Sequence, residues 1–304
     1  MLDVRRLRLL RELARRGTIA AVADALAFTP SAVSQQLSAL EREAGVPLLE
    51  RTGRSVTLTP AAVALVEHAE AVLERLEQAA AELAAARGGP AGPLRIGAFP
   101  SAARSLLPGA LARLAREFPA LQPRVDELDP AAAADRLRAG DLEVALLHRY
   151  DFAPRIRVPG VQTRALFTEP LYLAAPADTH ADGLAACRDT AWILATPGTL
   201  CHTMTVRACE AAGYTPDARH HIDDFAAVLE LVAVGQGVAL VPELAVRDAA
   251  DRHAGTVTLT RLPLSRETEV AYRTGAGGHP AIRAFTDAVK AAAPEALAPA
   301  DGRR

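Results

Sequence analysis

Between Ala61 and Arg87 the chain runs for 27 residues without a glycine or a proline. Ala62, Val66, Ala69, Leu73, Leu76, Ala80 and Leu83 fall there at alternating steps of four and three, the spacing of a heptad seam. Thr59-Pro60 in front offers a cap and a first-turn proline, and Gly88-Gly89-Pro90-Ala91-Gly92-Pro93 behind stops the helix. At about 1.5 Å per residue the helix is about 40 Å long. One narrow apolar stripe on so long a helix predicts pairing with a second helix. Val66, Ala69, Leu73, Leu76 and Leu83 are the candidate contacts. A long helix lying on its own domain is the alternative.

Composition excludes several classes. No stretch approaches the ~20 apolar residues of a membrane helix. The N-terminus, MLDVRRLRLLRELARRG, lacks the apolar core and cleavage site of a signal peptide. Three cysteines, Cys187, Cys201 and Cys209, cannot close a disulfide set, and none are spaced as CxxC. A cytoplasmic protein with no membrane partner is expected. Of the 304 residues 67 are alanine, which favours a helix-rich α/β chain. Residues 1–60 hold nine arginines against six acids, a net +3, and the remainder holds 25 basic residues against 30 acids, a net −5. A basic head on an acidic body is a mild nucleic-acid signal.

The head divides into short helices. Leu2–Arg15 is amphipathic and ends at Gly17, and Thr18 caps Ile19–Leu26. Thr29-Pro30 opens a third helix that stops at Gly45. On it Val33, Leu37 and Leu40 form a buried stripe, while Ser31, Ser34, Gln35, Ser38 and Arg42 share the other face. Short uncharged hydrogen-bonding groups there suit base edges and phosphates, and a plain solvated face also fits. Leu48–Arg51 and Ser55–Leu58 then flank Thr52-Gly53-Arg54 as a small hairpin. A hairpin directly after a helix-turn-helix is a wing, with Arg51 and Arg54 toward phosphate or the minor groove.

Beyond the hinge the pattern alternates. Strands are expected at Leu94–Ala98, Arg124–Leu128 and Leu142–Leu147, and near Val161–Leu166, Leu171–Ala174, Trp192–Ala195, Val238–Val241 and Val257–Leu262. Helices are expected at Ser101–Phe118 and Pro130–Ala139, and near His202–Ala212, Asp224–Val234 and Pro280–Ala293. This alternation argues for parallel sheets wrapped by helices. The tail, Pro294–Arg304, reads as disordered.

The run IAAVADALAFTPSAVSQQLSALEREAGVPLLERTGRSVTLTPAA, Ile19–Ala62, resembles the DNA-binding head of the LysR-type transcriptional regulators. The likeness extends along the chain through Gly140–Leu146, Glu169-Pro170-Leu171 and Val234–Pro242. It implies an α/β protein with an N-terminal winged helix-turn-helix (1–58), a linker helix (59–88), a hinge (89–93) and an effector-binding domain (94–293). The latter would have the two-subdomain type-2 periplasmic-binding-protein fold. Subdomain I would hold 94–164 and 267–293 and subdomain II 165–266, with crossovers near Arg164–Leu166 and Leu262–Arg266. The resemblance further implies a dimer through the linker helix, a tetramer of two dimers, and an interrupted palindrome in double-stranded DNA near a promoter. RNA polymerase would be a further partner, and a small effector would sit in the cleft.

Resemblance and helix face together nominate Thr29, Pro30, Ser31, Ser34, Gln35, Gln36 and Ser38, with Arg51 and Arg54 on the wing, as DNA contacts. Glutamine can pair bidentately with adenine, so Gln35 is the leading base reader; Gln36 lies at the flank and also fits a structural role. Arg42 fits either a DNA contact or a pair with a glutamate. In the implied fold an effector meets loops at strand ends and helix starts, where N–H groups favour a carboxylate. That nominates Ser101, Ala102, His148, Tyr150, Thr196, Thr199 and Phe225 around an anionic effector. His148 also fits a plain surface histidine at a strand end, and Tyr150 likewise has a non-ligand reading.

Rival readings are few. Cys201 and Cys209 lie near the paired redox cysteines of the family's peroxide-sensing branch, yet eight residues of intact helix hold them about 12 Å apart. The pair His220-His221 with Asp223-Asp224 has no clean metal spacing, and no metal or cofactor is expected. GxSxG, HExxH and P-loop motifs are missing, so an enzyme is not expected. A ligand-binding protein without regulatory DNA binding remains as the alternative, against which the basic head and seam weigh.

Overall fold

The computed structural model describes residues 1–52, 55–154, 158–179, 181–247 and 253–297. The head comprises α1 (Val4–Arg16), α2 (Ile19–Ala25), α3 (Pro30–Ala44), β1 (Leu49–Thr52) and β2 (Ser55–Leu58). Local chemistry sets its boundaries. The Asp3 carboxylate accepts from the Arg5 and Arg6 amides, Thr18 and Thr29 cap α2 and α3, and Gly17 and Gly45 close α1 and α3 at φ +74° and +70°. Leu10, Leu13, Val22, Val33, Leu37 and Leu40 are buried together as the head's core.

The long helix α4 spans Pro60–Ala85. Its apolar seam serves two surfaces. Ala62 and Ala69 are buried in the head's core, with Val66 half-buried against it. Leu73 is half-buried, whereas Val72, Leu76 and Leu83 are 40%, 48% and 66% exposed. The first half of α4 is thus a fourth helix of the head, as the own-domain alternative requires. Along the second half of α4 an apolar stripe of Val72, Leu76 and Leu83 stays open, whereas Ala69 is buried in the head's core.

The body follows as β3 (Gly92–Ala98), α5 (Pro100–Ser105), α6 (Leu107–Glu117), β4 (Leu121–Glu127), α7 (Pro130–Ala139), β5 (Val144–Tyr150) and β6 (Val161–Pro176). Then come β7 (Ala191–Leu194), α8 (Leu200–Ala211), β8 (Asp217–His221), α9 (Phe225–Ala233), β9 (Ala239–Pro242), α10 (Glu243–Arg247), β10 (Val257–Arg273) and α11 (Pro280–Leu297). The expected helix Ser101–Phe118 is two helices, because Pro108 cannot extend the ladder of α5 and instead opens α6. The first residues of the expected disordered tail, Pro294–Leu297, continue α11; residues 298–304 lie outside the described set.

The six-stranded sheet has the order β4-β3-β5-β10-β6-β9. It is mixed where parallel sheets were expected. β3 runs parallel to β4 and β5, but β10 is antiparallel to β5 and β6, and β9 is antiparallel to β6. β6 and β10 are single strands of 16 and 17 residues, each passing through an expected crossover. Their pairing lapses between Arg261 and Ser265, around Pro263, which has no N–H to give the ladder. One core, around Phe99, Leu107 and Phe285, lies on one side of this waist, and another, around Leu171, Trp192 and Tyr214, lies on the other. β7 and β8 pair in parallel beside the second core. Among the described residues no helix is long and apolar enough to cross a membrane.

Candidate nucleic-acid interface and inner cavity

α3 presents the expected polar face. The Thr29 hydroxyl accepts from the Ala32 amide at 3.2 Å and lies 3.1 Å from the Ser31 hydroxyl, with Pro30 in the first turn. Ser31, Gln35 and Gln36 are exposed, and Ser34 and Ser38 are half-buried. Gln36 is engaged, since its side-chain oxygen accepts from Arg6 Nε at 2.9 Å. That bond ties α3 to α1 and gives Gln36 a structural part, leaving Gln35 as the exposed glutamine not so tied. Arg42 turns back toward the Ser38 carbonyl at 3.5 Å. The Glu41 carboxylate accepts from the Leu48 and Leu49 amides, both at 3.0 Å, and so seats the hairpin against the end of α3. Leu49 pairs with Leu58 and Thr52 with Ser55. Arg51 lies in β1 but its side chain, like all of Arg54, is outside the described residues.

A cavity of about 1250 Å³ opens between the two halves of the body and runs along the sheet toward the head. Ser101, His148, Tyr150, Thr199 and Phe225 line it; Ala102 and Thr196 do not. Ala102 turns into the core behind α5, one helical step from Ser101. Thr196 is tied to Asp223, its amide at 2.8 Å and its hydroxyl at 2.7 Å. Thr199 spends its hydroxyl as the cap of α8, accepting from the His202 amide and donating to the Thr196 carbonyl.

The inner end of the cavity rests on residues the sequence reading passed over. Arg266 is buried across from Tyr150 and Glu169 in the strand register, and its guanidinium sits 2.7 Å from the Glu169 carboxylate. The other Glu169 oxygen accepts from the Leu244 amide at 2.7 Å. Arg266 also lies 5.0 Å from the centre of the Phe99 ring. His148 packs edge-on against Phe99 at 4.8 Å and Tyr150 at 4.9 Å. Burial, with the charge of Arg266, depresses the His148 pKa to about 3, so the imidazole is neutral. Ser101 Oγ, His148 Nδ1 and Thr268 Oγ1 are buried polar atoms with no protein partner. The first two belong to residues lining the cavity and ask for an occupant that hydrogen-bonds them.

The charges around the cavity are largely spoken for. Arg15, Arg149 and Arg266 line it, and each is ion-paired, with Asp135, Glu267 and Glu169 respectively. Six acids, Glu127, Asp129, Asp135, Asp223, Glu267 and Glu269, also line it. The start of α9 is already satisfied, because the Asp224 carboxylate accepts from the Ala226 and Ala227 amides. Cys201 reaches the cavity, but burial pushes its thiol up to about 11, as it does that of Cys209 in the core behind. Among the described residues no cluster of three or more His, Cys, Asp or Glu is placed to hold a metal.

Known proteins match both parts. Residues 4–63 match the profile described as bacterial regulatory helix-turn-helix protein, lysR family, and residues 87–294 match the LysR substrate binding domain. A probable hydrogen peroxide-inducible genes activator of Streptomyces viridosporus is 32% identical, the match spanning 84% of this chain and 82% of that one. The transcriptional dual regulator GltC of Bacillus subtilis is 27% identical over 83% of this chain and 84% of its own. A solved structure of a Corynebacterium glutamicum OxyR cysteine-to-serine mutant, H2O2-bound, superposes with a TM-score of 0.62 at 26% identity, covering 98% of this chain and 94% of that one. With a helix-turn-helix head and a cleft-bearing body matched over nearly their full lengths, the chain belongs to the LysR family of transcriptional regulators.

Proposed function

We propose that this regulator binds a dyad operator as a dimer or higher oligomer and alters transcription when a small molecule occupies the cavity. The observation that carries the first half is the exposed, uncharged face of α3 beside a seated wing. Gln35 would read a base edge; Ser31, Ser34, Ser38 and Thr29 would hold phosphates, and Arg51 and Arg54 would anchor the wing. The open stripe Val72, Leu76 and Leu83 supports a second copy, and two heads related by a twofold axis match a palindrome. Selection from a random-sequence duplex library tests this reading, and a recovered two-half motif is the expected product.

The cavity supports an effector without net negative charge, in place of the carboxylate expected from the sequence. Its arginines are paired, its wall is rich in acids, and the helix starts at α8 and α9 are capped. The unpartnered Ser101 and His148 groups would meet hydroxyl, amide or amine functions of the ligand. A thermal-shift screen split into anionic, neutral and cationic compounds tests this, and stabilisation by carboxylates alone would overturn it.

A second reading, thiol-based sensing, draws on the peroxide-linked names of its relatives and on Cys201 at the cavity. Thiols raised to about 11 and placed eight residues apart on one helix weigh against it, because a reactive cysteine needs a depressed pKa. Mass analysis after peroxide treatment and thiol labelling decides between them; a Cys201–Cys209 disulfide formed at low peroxide would establish the thiol reading.

A further inference from the structure

The head is fastened to the body by more than the linker. α1 lies against α7 through a charge cluster whose centre is closed to solvent, with Glu12 1% exposed and Arg138 2% exposed. Glu12 meets Arg16 at 3.0 Å, Arg11 at 3.1 Å, and Arg15 and Arg138 at 3.6 Å each. Asp135 takes Arg15 at 2.5 Å and Arg16 at 3.2 Å from the head, and also pairs with Arg138 on its own helix. Arg8 donates to the Arg138 carbonyl. The cluster continues onto α4, where Glu70 faces Arg11 at 3.7 Å. Two turns further along, Glu77 takes Arg273 of β10 at 2.6 Å. Two glycines allow the approach. A Cβ at Gly275 would lie 2.4 Å from the Glu74 carbonyl oxygen, and one at Gly160 would lie 3.3 Å from Glu70 Oε2.

Two further observations give this contact a use. The recognition face of α3 stays exposed with the head so held, so the cluster orients the head and does not hide it. The same residues border the cavity: Arg15, Ala134, Asp135 and Gly160 all line it. Isolated surface ion pairs contribute little, but a largely buried network in which several arginines share Glu12 and Asp135 favours one geometry and penalises any partial one. We propose that this cluster is a clamp that couples the cavity to the DNA-binding head within one chain, through α7 and Asp135. The proposal rests on the cavity being the effector site. A ligand that draws α7 or Asp135 inward would unseat Arg15 and Arg16 and so re-aim α3.

Hydrogen exchange on the full-length protein tests it without a known effector. Asp135→Ala is the main variant, since the Asp135 side chain is 43% exposed and its removal leaves the core intact. Arg138→Met is the second, removing the charge at similar length. At least tenfold faster exchange in 4–16 and 130–139, with β3 and β5 unchanged, is the expected result for Asp135→Ala; unchanged exchange in 4–16 overturns the clamp. The coupling arm uses a duplex selected from a random library. In the parent protein the duplex should slow exchange in 130–139 and 158–161, by the reciprocity of linked sites, and in Asp135→Ala it should not. A parent whose α7 ignores bound DNA overturns the coupling. Failure to select any duplex instead counts against the operator reading, and the first arm still decides the clamp.

Discussion

His148 gives the inner cavity a measurable signature in acid. A histidine in an unfolded chain titrates near ~6.5, whereas in the folded protein burial beside Arg266 holds His148 at about 3. Between those values the unfolded state binds a proton that the folded state refuses. Stability therefore rises with pH across this window, and the contribution is lost progressively as pH falls below about 6.5. At about 1.36 kcal/mol per pKa unit the full window amounts to just under ~5 kcal/mol, and at pH 5 the loss is about 2 kcal/mol. Urea titrations at pH 7.5 and pH 5 measure it. Trp192 is the chain's only tryptophan and is buried in the same core as Tyr150, the neighbour of His148, so its fluorescence follows the relevant unfolding. His148→Phe keeps a ring between Phe99 and Tyr150 but cannot titrate. The variant should lose about 2 kcal/mol less than the parent between the two pH values. Equal losses in parent and variant would refute the account of a neutral, desolvated imidazole, as would an imidazole resonance titrating near 6.

Other consequences are as direct. Leu76→Asp with Leu83→Asp places charge on the open stripe of α4 without touching the head's core, and should convert the oligomer to monomer in sedimentation while the helical signal stays constant. Gln35→Ala should cost about 1–3 kcal/mol of discrimination at one base position in a mobility-shift series, while Gln36→Ala should chiefly loosen the α1–α3 contact. Glu169→Ala strands a buried guanidinium and should destabilise the body by about 3–5 kcal/mol in the Trp192-monitored titration.

The parts of this architecture written in local chemistry were legible. Thr29-Pro30 and Gly45 bound α3, and spacing alone sorted Val33, Leu37 and Leu40 inward from Gln35 and Ser31 outward. Three of the cavity residues, Ser101, Thr199 and Phe225, followed from the habit of helices to begin beside a cleft. What escaped depends on partners distant in sequence. Arg266 and Glu169 are separated by 97 residues, and only the antiparallel register of β6 and β10 brings them together. Thr268 is buried opposite His148 on the next strand, a pairing that no local pattern reveals. The seam of α4 was read as one surface because periodicity cannot say that its first half packs on α1. The clamp was hidden for a similar reason. Glu12, Asp135 and Arg138 look like ordinary charges on amphipathic helices until the head and body meet.

The central claim is that an exposed face on α3 reads a dyad. Capture of duplexes from a random library by the purified protein, at defined salt, measures this most directly. The account predicts enrichment of two inverted half-sites at fixed spacing, lost in Gln35→Ala at one position of each half. A folded, oligomeric protein that enriches no motif across the salt series, with or without stabilising ligands from the thermal-shift screen, would contradict it.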